Sequence, residues 1–114
     1  MKEQRRTERV VPAQPLKGKL VLLVKEQGFN VKSVRDVSPF GIGVCIESDV
    51  VKDEEVCLSY QTGAGDCQVY GTAVWSAPVK PGDATHAEPL FHIGISLKPE
   101  NVESNLHFYR LMLA

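Results

Sequence analysis

Residues 35–44 read RDVSPFGIGV and contain the end of one predicted strand, a short turn and the start of another strand. Asp36 and Ser38 are typical turn residues because their side chains accept hydrogen bonds from nearby backbone N–H groups, and Pro39 and Gly41 favour turn dihedral angles. From Gly41 onward, apolar residues alternate with small ones in the period-two pattern of a β-strand. The stretch therefore predicts a hairpin in a protein built from short antiparallel strands.

Similar patterns occur on both sides of this hairpin. Apolar or alternating segments predict six strands, at residues 19–25, 29–37, 41–47, 55–61, 67–75 and 90–97. The alternation slips at Val34, which leaves open a bulge or the end of that strand. Gln27-Gly28 resembles the turn after the first strand. In the fifth segment the alternation puts Val69, Ala73 and Trp75 on one face, so the tryptophan is expected in the core.

The C-terminal residues follow a helical period. Pro99 suits the first turn of a helix, which we expect over about 99–113. Apolar residues then recur at spacings of four, three and four, and this stripe is expected to dock on the sheet: Val102, Leu106, Tyr109 and Leu113. Six short strands followed by one helix predict a mainly β fold, a small six-stranded antiparallel barrel with a C-terminal α-helix over residues 16–114.

Length and composition are those of one soluble globular domain. The chain has 114 residues, of which 43% are hydrophobic and 24% charged. No apolar run approaches the ~20 residues that a bilayer-spanning helix needs, and no apolar secretory segment follows the N-terminus. We therefore expect a cytoplasmic protein without membrane insertion.

The cysteines and histidines show no pattern typical of catalysis or metal binding. The three cysteines are widely spaced with no CxxC pair, so reduced structural thiols are expected rather than a disulfide framework or a zinc site. The three histidines have no evident nucleophile or acidic partner beside them: His86, His92 and His107. We expect no catalytic residues, no metal and no enzymatic activity.

Positive charge is concentrated at the N-terminus. The first 20 residues hold six cations and two acids, a net of +4, whereas the whole chain has a net charge of −1, so the other 94 residues sum to −5. Pro12 and Pro15 interrupt any helix there, which predicts a flexible arginine-rich arm over residues 1–15. A single basic arm favours a small anionic ligand over DNA or RNA, which would usually meet a broader basic face.

The arm and the hairpin have complementary chemistry. A carboxylate such as Asp36 can accept hydrogen bonds from the N1–H and N2–H₂ edge of guanine. An arginine fork pairs with the opposite O6/N7 edge or with phosphate. Gly41 and Gly43 lie two apart on one strand and leave a face without side chains, where a planar ligand could lie close. These groups together suit a compact ligand that contains guanine and phosphate.

These two segments resemble the signatures of a known family. Arg5-Arg6-Thr7-Glu8-Arg9 fits RxxxR, and DVSPFG (36–41) fits [D/N]xSxxG, so the sequence resembles PilZ domains. Those bacterial domains are receptors for cyclic di-GMP, with a six-stranded barrel and a terminal helix. TAVWSA (72–77) and FHIGISL (91–97) resemble the late strands of the family.

The resemblance implies roles for individual residues. Arg5 and Arg9 would contact guanine and phosphate groups, Asp36 would read the guanine edge, and Ser38 and Gly41 would lie beside the ligand. Arg6 and Gly43 are further candidates. The resemblance also implies no cofactor besides the ligand, and a downstream partner protein that senses the ordering of the arm. Gln4, just before the first motif arginine, leaves open whether one or two ligands bind.

Two other classes of function remain open. Some domains of this fold lack the motifs and act as protein–protein adaptors that bind no nucleotide. A small barrel could also bind single-stranded nucleic acid, which would require exposed aromatic residues among basic ones. The expectation that Trp75 and Phe91 face the core argues against that function. The acidic stretch 47–55 is either a partner surface or a solvated loop.

Overall fold

The computed structural model describes residues 10–12, 16–63, 65–79 and 89–113. The predicted arm lies largely outside these residues, as do Arg5, Arg6 and Arg9. The described residues form seven strands and two helical segments: β1 (Lys19–Val24), β2 (Gln27–Asn30), β3 (Ser33–Ser38), β4 (Gly41–Ile46), β5 (Glu55–Thr62), β6 (Gly65–Pro78), β7 (Phe91–Leu97), a 3-10 turn (Pro99–Asn101) and α1 (Val102–Leu113).

The seven strands form one antiparallel sheet in the order β2-β1-β5-β6-β7-β4-β3. The mainly β prediction with a C-terminal helix is confirmed, but the count of six strands is wrong because the predicted strand at 29–37 is two strands. The Val31 N–H donates to the Leu20 carbonyl (3.0 Å), whereas the Lys32 N–H donates to the Cys45 carbonyl (2.8 Å). The chain therefore changes partners from β1 to β4 at this point, and so connects the two ends of the curled sheet.

The turn between β1 and β2 lies two residues earlier than the sequence indicates. Its central residues are Lys25 and Glu26, with φ of 50° and 68°. Both are positive, as the common two-residue hairpin turn of type I′ requires. Gly28, expected in the turn, instead pairs with Leu23 inside the sheet. Glycine and asparagine usually occupy such turns, so the sequence Lys25-Glu26 did not indicate a turn at this position.

The core lies between the concave face of the sheet and α1. The ring of Tyr60 on β5 meets that of Phe108 on α1 edge-to-face, with centroids 6.2 Å apart. The helix buries Asn105, Phe108 and Met112 rather than the expected stripe, and Val102 remains 42% exposed. Spacings of three and four fit both sets of residues. The Asn105 amide, which donates to the Lys98 carbonyl (2.9 Å), helps to fix the rotation that is observed.

The acidic stretch 47–55 is tied to the body of the protein. The Asp49 carboxylate accepts hydrogen bonds from the Val50 N–H and from the Ser76 hydroxyl. Three further acids form ion pairs with lysines on other segments: Glu47 with Lys32, Glu54 with Lys25, and Glu55 with Lys98. Much of this negative charge is therefore locally compensated.

Candidate functional site

A cavity of about 310 Å³ opens on the convex face of the sheet, across four neighbouring strands. Its centre is a row of residues in direct register: Asp36 on β3 pairs with Gly43 on β4, Gly43 with Gly94 on β7, and Gly94 with Trp75 on β6. The row therefore has a carboxylate at one end, an indole at the other and two residues without side chains between them.

Two β-bulges direct the ends of this row outward. The pairing of β3 with β4 shifts between Val34 and Asp36, and that of β6 with β7 shifts between Ala73 and Trp75. Val34 and Ala73 are buried in the core. Regular alternation would put residues 36 and 75 on the same inner face as these two. Each bulge adds one residue, so Asp36 and Trp75 instead reach the convex face, a common use of bulges beside binding sites.

The two glycines let the side chains lie close to the sheet. A Cβ atom on Gly94 would stand only 2.1 Å from the Trp75 Nε1 and 2.3 Å from its Cε2, so the indole lies directly on this glycine. A Cβ on Gly43 would stand 3.3 Å from the Asp36 Oδ1. The glycines thus form a flat floor on which a planar group can rest.

Arg35 and Trp75 meet above this floor. Arg35 is the extra residue of the β3 bulge, and its guanidinium carbon lies 5.8 Å from the centroid of the Trp75 ring, within cation–π range. Arg35 is exposed, and Trp75 is 41% exposed. Both line the cavity, together with Asp36 and Phe40.

The other hairpin residues build the turn beside the cavity. Ser38 is only 4% exposed, and its hydroxyl oxygen accepts a hydrogen bond from the Phe40 N–H (3.1 Å). Gly41 is buried and pairs with Ser38 and with Ser96. Of the described candidates, Asp36 and Gly43 therefore line the cavity, whereas Ser38 and Gly41 flank it and hold the turn.

The N-terminal segment joins the sheet next to this site. Val10 and Val37 exchange two backbone hydrogen bonds, of 2.9 and 2.8 Å, in an antiparallel bridge on the outer edge of β3. Val37 lies between Asp36 and Ser38. The remaining candidates precede this bridge in sequence and lie outside the described residues: Arg5, Arg6 and Arg9.

Three residues of the cavity were not predicted from the sequence: Arg35, Trp75 and Gly94. The expectation that Trp75 faces the core is wrong, because the bulge at Val74 reverses the alternation. This exposure also removes one argument against single-stranded nucleic acid as a ligand. A signal for Arg35 was present in the slip at Val34, since a bulge there puts two consecutive residues on the convex face.

The three cysteines are free thiols. Burial raises the pKa of the thiols of Cys45, Cys57 and Cys67, which keeps them protonated near neutral pH. Within the described ranges, no three acidic, cysteine or histidine side chains come together as metal ligands. Nor is any helix in the part of the chain that the structure describes long and apolar enough to cross a membrane.

The chain has a PilZ-like fold, as the resemblance of its two motifs implied. The PilZ domain with c-di-GMP of YcgR from Escherichia coli matches it with a TM-score of 0.70 and 12% sequence identity, over 96% of this chain and 89% of that chain. The structure of the K. pneumonia MrkH–c-di-GMP complex matches with a TM-score of 0.69 and 11% identity, over 98% of this chain.

This chain spans about half of the MrkH chain, 52% of its length. A scan of the sequence against protein-family models and a search of curated proteins found no match. With identities of 11–12%, the likeness to the two solved structures is one of fold.

Proposed function

We propose that the chain is a receptor for cyclic di-GMP, without enzymatic activity of its own. The observation that carries this proposal is the row Asp36–Gly43–Gly94–Trp75, which puts a carboxylate and an indole at opposite ends of a glycine floor. The matching PilZ domain structures, both solved with c-di-GMP, support the choice of ligand.

The chemistry of the row suits a guanine base. A guanine above the floor would stack on the exposed face of the Trp75 indole, which itself lies on Gly94, and such a contact is worth about 1–3 kcal/mol per base in other complexes. Its N1–H and N2–H₂ edge would donate to the Asp36 carboxylate. At about 310 Å³, the cavity is at the small end of the ~300–1,000 Å³ range of ligand pockets. The rest of the ligand would therefore need cover from another segment.

The N-terminal arm is the segment that we propose for this cover. It joins the sheet at Val10, opposite Val37. If the antiparallel pairing continued by one residue on ligand binding, Arg9 would lie opposite Ser38 and on the convex side with Asp36. Arg5 is five residues before Val10, which gives it a reach of at most about 17 Å. An arm of this length would bring both motif arginines to a ligand on the glycine floor.

Binding would act as an order–disorder switch. The arginines of the arm repel one another, and a doubly anionic ligand would neutralise them and hold the arm against the sheet. The ordered arm would present or cover a surface that a downstream partner protein recognises. If the chain binds no cyclic di-GMP, the alternative of a PilZ-fold adaptor without a nucleotide takes the place of this proposal.

Calorimetric titration of single-residue variants with cyclic di-GMP tests the proposed site. We expect Arg5→Ala, Arg9→Ala and Asp36→Ala each to weaken binding by about 10- to 150-fold, since each removes a charged hydrogen-bond partner worth about 1.5–3 kcal/mol. Arg110→Ala on α1 and Asp66→Ala on β6 are matched controls, because both residues are exposed and neither lines the cavity.

The controls separate a specific site from general charge effects. If Arg110→Ala weakened binding as much as Arg9→Ala, the arginines would act through net charge alone. If oligonucleotides bound with a strongly salt-dependent affinity and cyclic di-GMP did not bind, single-stranded nucleic acid would be the better ligand class.

A further inference from the structure

Arg35 belongs to neither sequence motif, yet it spans the candidate site. Its stem runs over Gly43: the Arg35 Cβ and Cδ lie 3.5 and 3.9 Å from the point that a Cβ on this glycine would occupy. Its guanidinium carbon lies 5.8 Å from the Trp75 centroid on the far side of the floor. Arg35 therefore reaches from β3 across β4 and β7 toward β6.

We propose that Arg35 is an additional ligand-binding residue, which clamps a planar base of the ligand against Trp75. This inference rests on the proposed function, because it identifies a contact of the same site. The base would lie between the indole and the guanidinium, and the arginine would swing outward to admit it. Both faces of the base would then be covered, one by each side chain.

The spacing of the two groups supports this arrangement. A base stacked between two planar groups needs two contact distances of about 3.5 Å each, or about 7 Å in total. The present separation of 5.8 Å is about 1 Å short of that value. Because Arg35 is exposed and has a flexible stem, a small rotation of its side chain would provide the missing space. No movement of the strands is required.

The chemistry of the guanidinium supports the same role. Arginine is planar, stacks on aromatic rings and pairs with phosphate, whereas lysine is a compact point charge that cannot stack as a plane. Among the described residues that line the cavity, Arg35 is the only cation. It would therefore offset ligand charge inside the cavity, while the arm would do so from outside.

Two substitutions at Arg35, compared with Arg110→Ala, test the clamp. Cyclic di-GMP is titrated by calorimetry and, in parallel, by fluorescence, for which Trp75 is the single tryptophan of the chain. We expect Arg35→Ala to weaken binding about tenfold, and Arg35→Lys to stay at least about threefold weaker than wild type because it restores charge but not the plane. Arg110→Ala should bind as wild type does.

A measurement without ligand adds an independent test. Arg35→Ala should shift the emission of Trp75 in the absence of ligand, because the cation over the ring is removed, while the unfolding midpoint changes little since Arg35 is exposed. Arg110→Ala should leave the emission unchanged.

The outcomes separate this inference from the proposed function. If wild type binds and Arg35→Ala binds equally well, the clamp is wrong and the receptor proposal stands. If Arg35→Lys binds as tightly as wild type, charge alone matters and the base clamp is again wrong. If wild type itself shows no binding, the proposed function fails and the clamp fails with it.

Discussion

Replacing Gly94 with alanine puts a methyl group where the Trp75 indole now lies. The new Cβ would stand 2.1 Å from Nε1, 2.3 Å from Cε2 and 2.7 Å from Cδ1 of the indole, so the ring has to leave the floor. All three atoms belong to a side chain that is 41% exposed. The ring can therefore move toward solvent without displacing the backbone.

The cost to stability is modest. If the indole re-exposes roughly 60 Å² of apolar surface, at about 25 cal/mol per Å² the loss is about 1.5 kcal/mol. Losing the cation–π contact with Arg35 adds about 0.5–1 kcal/mol. Replacing a strand glycine by alanine returns about 0.5–1 kcal/mol. We expect the free energy of unfolding to fall by about 1–2 kcal/mol.

The same substitution should also weaken ligand binding. Removing the stacking platform for one base should weaken cyclic di-GMP binding by about 5- to 150-fold, corresponding to about 1–3 kcal/mol. Fluorescence of Trp75 should move to longer wavelength as the indole becomes more exposed to water. Calorimetry, urea unfolding and emission spectra of the same variant measure the three effects separately.

Gly28→Ala is the matched control for this change. Gly28 is also in a strand, and its added Cβ would meet only side chains, 3.2 Å from the Val21 Cγ1 and 3.4 Å from the Leu23 Cδ2. It should leave both emission and affinity unchanged. If Gly94→Ala showed the emission and the affinity of wild type, Trp75 would not be a ligand-stacking residue that rests on Gly94.

Three further changes test the fold. Gly71→Ala would put a Cβ 2.3 Å from the Ser96 carbonyl oxygen, so the backbone of β7 must move, and urea unfolding should show a loss of about 1–3 kcal/mol or more; wild-type stability would contradict the pairing there. Asn105→Ala removes one of two donors to the Lys98 carbonyl, which still accepts from the Asn101 N–H (3.1 Å), and should cost about 0.5–1.5 kcal/mol, whereas Ser104→Ala, exposed on the same helix, should cost little. Burial raises the pKa of the thiols above their ordinary value of 9.0, so the unfolded chain loses these protons first and stability falls as pH rises past 9. A variant with all three cysteines replaced by alanine should show a smaller fall, and an equal fall would contradict this assignment.

Local patterns in the sequence were sufficient to predict most of the strands. Alternation is directly visible in residues 41–47, 55–61 and 90–97, and the structure has strands at each of them. The hairpin at Ser38–Gly41 and the terminal helix also follow from turn and helix-start residues. These features depend on interactions between residues close in sequence, which is why the sequence alone indicates them.

The errors arose where long-range pairing alters the local pattern. A bulge at Val74 reverses the face of Trp75, but only the pairing of β6 with β7 reveals that bulge. The division of the predicted strand 29–37 depends likewise on hydrogen bonds from residues 31 and 32 to two different strands. The cavity was therefore only partly predicted: Asp36 and Gly43 were identified from their motif and spacing, whereas Arg35, Gly94 and Trp75 required the register of four strands.

Calorimetric titration of the chain with cyclic di-GMP, with cyclic di-AMP as the matched ligand control, tests directly whether the site binds guanine. We expect a dissociation constant in the micromolar range or tighter for cyclic di-GMP, and weaker binding of cyclic di-AMP, because adenine lacks the N1–H and N2–H₂ groups that would donate to the Asp36 carboxylate. Absence of measurable heat with cyclic di-GMP, or equal affinity for the two ligands, would contradict a guanine-reading site on the glycine floor.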